Sequence, residues 1–358
     1  MEARIITDQQ QWDEYVASSV CCNVTQSYEW GELASHLGSE EALRIGVVDE
    51  AGHLCAGILI LITRAPLLRQ PYFYAPRGPI INDPDSPAMT VLLNFVKAEA
   101  HKRHAFMLKV EPSVLDGDTH WLLALKRRGF RPNPYATHIR HEWVLDISPD
   151  EKTILGGMKE KWRYNIRLAA RKGITVRRGE TLADLDTFYS IYETTSERDQ
   201  FFIHNKTHYQ DILRLFHEGD RVALFLAEYE GKAVAGTIIL TMGLWSWYMF
   251  GASSNDHRER MPNHLLQWTS MQWAKSKGCH YYNFRGIPDI LEEGQELWGV
   301  YLFKRGFGGY PLRFLETHDL VYQPVIYEAY KRLLEVKRWR DERRYKKAAE
   351  RALNPAKV

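Results

Sequence analysis

Four cations recur every fourth residue in the stretch 158–172: Lys159, Arg163, Arg167 and Arg171, with Glu160 the only acid close by. Trp162, Ile166 and Ala170 share that spacing, which predicts a helix with one apolar face and a neighbouring row of positive charge. Such a row repels itself. It reads either as a solvated face or as a clamp for phosphate, on RNA or on a phosphate-bearing ligand, because a guanidinium fork can hold two anionic oxygens at once. Glu197-Arg198-Asp199-Gln200-Phe201-Phe202 follows an amphipathic helix expected over 182–194. It is either a helix end closed by an internal Arg–carboxylate pair or a loop whose Arg198 reaches a ligand anion. Arg77-Gly78-Pro79, after the aromatic strand Tyr72-Phe73-Tyr74, offers a similar choice between a tight turn and a cation facing a cleft. No Ser-His-Asp or Cys-His pattern is present, and His204 with His208 lacks a third ligand at metal spacing, so neither a covalent nucleophile nor a metal is expected.

These residues need a scaffold, and the chain repeats one. Phe303-Lys304-Arg305-Gly306-Phe307-Gly308-Gly309 is echoed by Leu125-Lys126-Arg127-Arg128-Gly129-Phe130. Upstream, the apolar runs 42–48 and 56–61, joined by a Gly-containing turn, match 222–227 and 235–240. Gly57 and Gly236 lie 179 residues apart, Gly129 and Gly306 177 apart, which implies two copies of one fold with a cleft between them. Each copy predicts a helix-rich opening, a β-hairpin, a further strand, a long helix starting near a proline (87–103 and 262–277) and a closing strand (105–110 and 281–285).

The expected fold class is therefore α/β, an α+β mixture with mixed sheets. Duplicated units of this order resemble the GNAT type of acyltransferase, whose Gly-rich turn before a helix cradles the pyrophosphate of coenzyme A. The matching places here are His257-Arg258-Glu259-Arg260-Met261-Pro262-Asn263, without glycine, and Asp83-Pro84-Asp85-Ser86-Pro87, with two acids. Neither lets backbone amides approach a pyrophosphate, so no coenzyme is expected and the acyl donor is something other than acetyl-CoA. The two GNAT-like units are expected at residues 1–145 with 316–358 and at 146–315, the tail from about 316 being a helix that returns to the first unit.

A chain of 358 residues with 45% hydrophobic and 12% aromatic residues can build two ordinary cores. Cys21, Cys22, Cys55 and Cys279 show no metal spacing, and an adjacent pair suits a disulfide framework poorly, which fits a reducing cytoplasm. No basic, apolar leader opens the sequence, and the apolar run 55–62 is far short of the roughly 18 residues a membrane span needs. Net charge is only +2, but 331–347 carries nine Lys or Arg against three acids. That segment reads as a solvated terminal helix or as a contact for an anionic partner, either RNA phosphate or an acidic membrane surface at the inner face.

Taken in order, Gln26-Ser27-Tyr28-Glu29-Trp30-Gly31, Arg77-Gly78-Pro79, Lys161-Trp162-Arg163-Tyr164-Asn165-Ile166-Arg167-Leu168-Ala169, Glu197-Arg198-Asp199, Tyr248 with Gly251-Ala252-Ser253-Ser254, Phe284-Arg285-Gly286-Ile287 and Phe303-Lys304-Arg305-Gly306-Phe307-Gly308 resemble the FemABX family over roughly residues 26 to 315. The resemblance implies two GNAT-like domains and a peptidyltransferase that takes amino acids from aminoacyl-tRNA to the stem peptide of a peptidoglycan precursor, UDP-MurNAc-pentapeptide or lipid II. It implies that Arg198 meets the precursor's anionic part with Ser196 and Phe202 as neighbours, that Tyr248 is a further precursor contact, and that Phe303 and Lys304 serve the transfer step and the tRNA end. Lys304 would then supply positive charge to a tetrahedral oxyanion, Phe303 a face for a terminal base, and Gly306, Gly308 and Gly309 close approach to the tRNA 3′ end. The base that deprotonates the amine is left open between Asp199 and a carboxylate of the substrate. One departure is the missing cation between Trp30 and Arg44, where the family often has a Lys. Another is the absence of a long insertion in the second domain, which matches compact members without a helical arm. Two other readings stand beside this one: an acyl-CoA-dependent N-acyltransferase acting on a small amine, and a non-catalytic RNA- or membrane-binding protein.

Overall fold

The computed structural model describes residues 1–36, 39, 41–66 and 68–353, with side chains of the last helix described to Arg340 and at Arg343. The apolar runs become strands because both faces of each sheet are covered. The first sheet takes β1 (Glu2–Ile5), β2 (Glu41–Val48), β3 (Leu54–Arg64), β4 (Pro71–Ala75), β5 (Met107–Val110) and β6 (Arg131–Asn133). The second takes β7 (His141–Asp146), β8 (Ile174–Gly179), β9 (Val222–Tyr229), β10 (Lys232–Met242), β11 (Trp245–Ser253), β12 (Tyr281–Gly286) and β13 (Tyr310–Arg313). A last strand, β14 (Thr317–Val321), returns to the first sheet, so the orders are β1-β2-β3-β4-β5-β14-β6 and β13-β7-β12-β11-β10-β9-β8.

The helices are α1 (Gln9–Ser18), α2 (Tyr28–His36), α3 (Pro87–Lys102), α4 (Thr119–Arg127), α5 (Glu151–Gly157), α6 (Glu160–Arg171), α7 (Leu182–Asp199), α8 (Lys206–His217), α9 (Pro262–Ser276), α10 (Trp298–Arg305) and α11 (Pro324–Leu353). The duplication is structural. An antiparallel meander β2-β3-β4 leads through α3 to the parallel partner β5, and β9-β10-β11 leads through α9 to the parallel partner β12. The echoed peptides end α4 and α10, each followed by a left-handed glycine, Gly129 at φ 82° and Gly308 at φ 87°.

Three expectations are corrected. Strand β7, placed with the first unit, hydrogen-bonds to β12 and β13 in the second sheet, so the changeover precedes His141 rather than following residue 145. The tail is not helix from about 316 but first a strand, held between β5 and β6 with Thr317, His318 and Asp319 all buried. Helix α7 runs on to Asp199 rather than ending at 194, so of the two readings of this cluster Arg198 takes the helix end with its carboxylate pair and not the loop. Of the basic tail, Tyr327 and Tyr330 pack on Phe106 and Met107, while the side chains of Arg344, Lys346 and Lys347 lie outside the described residues.

One continuous core joins the halves. Trp12, Val24 and Ile58 from the first share a buried cluster with Phe188, Tyr209 and Leu226 from the second. Polar ties cross the same seam: Arg221, just before β9, reaches both Asp13 of α1 (2.6 Å) and Glu29 of α2. Burial and the neighbouring Asp13 charge push the Glu29 carboxyl up to about 7 against the pull of Arg221. Gln26, fully buried, gives its amide to the Leu59 and Pro76 carbonyls and accepts from the Leu59 N–H, so this member of the first motif braces β3 and the turn before Arg77.

Candidate active site at the parting of two strands

Strands β11 and β12 pair over only three residues, from Trp245↔Tyr281 to Trp247↔Asn283. Beyond that β11 stays with β10, with a bulge that leaves Met249 unpaired, while β12 stays with β7 as far as Gly286↔Glu142. The two parallel strands therefore part toward their C-terminal ends. Tyr248 and Met249 line one side of the gap, and Phe284, Arg285 and Gly286 the other.

Lys304 comes to this gap from α10. Its Nζ donates to the Gly286 carbonyl at 2.6 Å, and the side chain is only 5% exposed. Burial, with Arg285 beside it, pulls the ammonium down to about 7, and Glu142 opposes that shift in part. The family resemblance implies that Lys304 supplies positive charge to the oxyanion. The structure gives instead a buried amine that changes charge near neutrality.

Two motifs far apart in sequence are stacked on each other here. The Trp162 indole of α6 donates to the Phe303 carbonyl at 3.0 Å, and the Lys159 N–H to the Gly306 carbonyl at 2.9 Å. Gly306 must be a glycine because a Cβ there would lie 2.0 Å from the Trp162 ring. Gly309, at φ 93°, would bring a Cβ to 2.2 Å from the Val144 carbonyl. The glycines thus admit a tryptophan and a strand, which corrects the expectation that they make room for RNA. Phe303 is likewise half-buried, edge-on to His264 and Phe307, and its ring is engaged within the protein. Gly306→Ala is expected to lower stability by about 1–3 kcal/mol, since Trp162 is fixed by its hydrogen bond and cannot yield freely. Chemical denaturation followed by tryptophan fluorescence checks it; an unchanged midpoint would show that α6 slides off without penalty.

Arg198 forms a bidentate pair with Asp199 (2.8 Å to each oxygen) and donates to the Ser253 carbonyl at 2.9 Å and Asn255 Oδ1 at 3.1 Å. It therefore closes the end of α7 onto the end of β11. Its grip holds the Asp199 carboxyl below the usual range, which makes Asp199 a poor proton acceptor. Ser196 donates to the Phe201 carbonyl, and Phe202, 85% exposed, projects beside them. Tyr248 is half-buried, its phenol pushed up to about 12 by burial.

Arg77 is corrected from a cleft-facing cation to an internal tie. It is 2% exposed, donates to Glu142 Oε1 (2.8 Å) and the Ile139 carbonyl (2.7 Å), and lies over the Phe314 ring. Glu142 accepts from Asn283 on its other oxygen at 2.6 Å, and Asn283 Oδ1 accepts the Arg285 N–H at 2.7 Å. This relay was not read from the sequence; Asn283 and Glu142 carry no spacing signal, and they meet only through strand pairing. Tyr74, Glu111 and His138 make a second buried cluster alongside, where hydrogen bonds from His138, Thr137 and Tyr74 outweigh burial and hold the Glu111 carboxyl at about 2. Arg44 adds a spatial note on the missing cation: it stacks on Tyr28 at 3.6 Å and pairs with Glu32 at 2.7 Å, against Gly31.

The cationic row runs along α6 as expected, with Lys159 at its N-cap, and none of its four members enters an ion pair among the described residues. Arg163, however, turns back to the Gly156 and Met158 carbonyls and closes α5, so it is half-buried and occupied. Lys159, Arg167 and Arg171 remain exposed. A separate cleft of about 720 Å³ opens at the opposite end of β11 and β12, lined by Trp245, Trp247, Tyr281, Tyr310 and Phe314. Among the described residues no group of His, Cys, Asp or Glu is arranged to hold a metal, and no helix is long and apolar enough to cross a membrane.

The FemAB family model matches residues 7–120, 123–233 and 228–335. The chain belongs to the FemAB family. It is homologous to the lipid II:glycine glycyltransferase of Staphylococcus aureus strain MRSA252, 24% identical over 402 aligned positions that cover 92% of this chain and 94% of that protein. The alignment is longer than the 358 residues here, so that FemAB relative carries segments this chain lacks. The fold is that of FemX, with a TM-score of 0.86 at 23% identity over 92% of this chain and 99% of FemX. A tandem GNAT protein of the clavulanic acid biosynthesis pathway shares the architecture more loosely, with a TM-score of 0.51 at 12% identity over 89% of this chain and 98% of that one.

Proposed function

We propose that the protein moves an amino acid from aminoacyl-tRNA onto the side-chain amine of the stem peptide of a peptidoglycan precursor, UDP-MurNAc-pentapeptide or lipid II. The observation that carries this reading is the convergence of Lys304, Arg285, Tyr248 and Arg198 at one end of the second sheet in a FemAB-family chain. An aminoacyl ester is already activated, so its attack by an amine calls for positioning, a proton acceptor and charge at the tetrahedral centre, and for no covalent nucleophile. A buried amine near 7 is matched to accepting a proton at neutral pH, whereas Asp199 is held by Arg198. Arg198, with Ser196 and Phe202 beside it and Tyr248 deeper in, receives the precursor's anionic part by exchanging Asp199 or Ser253 for the incoming oxygens. An acyl-CoA donor has less support, because α9 begins with Met261 in a left-handed conformation and Pro262, with no glycine and one amide fewer to offer.

Lys159 at the N-cap of α6, with Arg167 and Arg171 along it, would carry the tRNA backbone. Changing Arg167 and Arg171 together to Glu is expected to weaken tRNA binding and to reduce the slope of log K against log salt by about 1.5, with precursor binding kept. A slope equal to wild type, measured by filter binding, would leave the row a solvated face. Exposed Lys337 and Arg340 on α11 suit an anionic bilayer carrying a lipid-linked acceptor.

The test is reconstitution. Purified protein, a charged tRNA pool and either precursor should give a stem peptide heavier by whole aminoacyl residues, and ribonuclease should abolish it. No product with any tRNA pool, or an acetylated product from acetyl-CoA instead, would overturn the reading.

A further inference from the structure

We propose that Arg285 is the cation that stabilises the oxyanion of the transfer reaction, with Lys304 beside it accepting and returning the proton. This rests on the aminoacyl-transfer reading above.

Arg285 follows the last β12–β11 pair and lies in the left-handed region at φ 62°. A non-glycine residue held there is strained, and the strain is countered by the Arg285 N–H bond to Asn283, which is itself fixed through Glu142 to Arg77. The relay thus serves a two-residue turn. Its first residue presents a guanidinium to the gap, and the carbonyl of its second, Gly286, receives Lys304. One device positions both groups.

Among the described residues the guanidinium of Arg285 has no carboxylate of its own. Its described side-chain contact is Nη1 to the Met249 sulfur at 3.3 Å, across the gap, and it enters no ion pair among the described residues. The nearby acids are already taken: Glu142 by Arg77 and Asn283, Glu111 by Tyr74, His138, Thr137 and Thr317. A half-buried arginine whose side-chain hydrogen-bond partner is a thioether, and whose nearest carboxylate, Glu142, is bonded to Arg77 and Asn283, is short of an anion, and a guanidinium stays charged through the neutral range. Arg285 is also the more open of the two groups, half-buried where Lys304 is 5% exposed. The groups facing the pair are Asn283 from β12, Glu142 from β7, Arg77 and Tyr74 from the β4 side, and His138 from the segment before β7.

The step balances. The neutral acceptor amine attacks the ester carbonyl carbon, a C–N bond forms, and the carbonyl electron pair becomes an oxyanion against Arg285. The attacking nitrogen passes its proton to the Lys304 amine, directly or through one water. Collapse re-forms the carbonyl and breaks the ester C–O bond, and the departing ribose oxygen takes the proton from Lys304, which returns neutral.

Arg285→Asn removes the charge but suits a left-handed backbone, and Arg285→Lys retains the charge. In the reconstituted assay, the Asn variant should lose about 10²–10³-fold in kcat with KM for both substrates little changed, and Lys should restore part of the rate. Removing Arg285 also lets the Lys304 ammonium rise from about 7, so the acid limb of the pH–rate profile should move to higher pH. Should Asn impair folding by thermal melt, Arg285→Gly is read in its place, glycine being at ease at that φ. Near-wild-type kcat, kcat kept while KM rises, or an unmoved acid limb would each overturn the proposal. Failure of the wild-type protein to transfer at all is a different result, and sinks the reading it rests on.

Discussion

Lys304→Met is expected to lower kcat for transfer by about 10²–10⁴-fold while precursor binding stays close to wild type. The side chain lies on the floor of the gap between β11 and β12, bonded to the Gly286 carbonyl, and not beside Arg198 where the precursor's anion is placed. Methionine fills the same volume without a titratable amine, and removing a buried charge-bearing group should leave stability no worse. The pH dependence of the wild type follows from the same placement. With the amine at about 7 its neutral form is lost as pH falls through that value, so the rate should drop on the acid side and level off above it. Turnover by the Met variant at the wild-type rate, or a rate flat from pH 5.5 to 8.5, would remove Lys304 from the chemistry. Isothermal titration with the precursor separates the two parameters.

Glu142→Leu should be the most damaging change to stability, lowering it by about 3–5 kcal/mol. It leaves Arg77 buried without its carboxylate and Asn283 without its acceptor. The milder Glu142→Gln keeps the shape and one acceptor oxygen but removes the charge that holds the Lys304 ammonium up, so it should shift the acid limb of the rate profile to lower pH. That is the opposite direction to the Arg285 variants. A denaturation midpoint unchanged in Glu142→Leu would show that the Arg77 tie is not an anchor between the sheets.

Much of the architecture was legible because repetition is a sequence property. The paired apolar runs 42–48 and 56–61 against 222–227 and 235–240, and the proline-started helices, fix the meander and crossover of each sheet at their true places. The boundaries failed where short strands carry no pattern of their own. Strand β7 adjoins the first unit in the chain but completes the second sheet, and β14 reads as part of a helical tail until β5 and β6 pair with it.

For the site, several of the motif residues gather at one end of the second sheet, but residue roles depend on what each side chain meets. Arg77 reads as a ligand-facing cation until Glu142 comes in from β7; Arg163 reads as a clamp until it folds back on α5. The heptapeptide glycines look like space for RNA and are filled by Trp162 and Val144. Arg285 was visible as part of a motif, with nothing in the local sequence to show that every neighbouring acid is spent elsewhere.

The most direct measurement is a crystal structure of the protein with a short acceptor-end oligoribonucleotide carrying an amide-linked, non-hydrolysable aminoacyl group. The expected complex has the aminoacyl carbonyl oxygen within hydrogen-bond distance of Arg285, Lys304 on the side from which the amine arrives, and the RNA backbone along Arg167 and Arg171. An aminoacyl group seated instead in the Trp245–Tyr281 cleft, at the other end of the same two strands, would contradict the account.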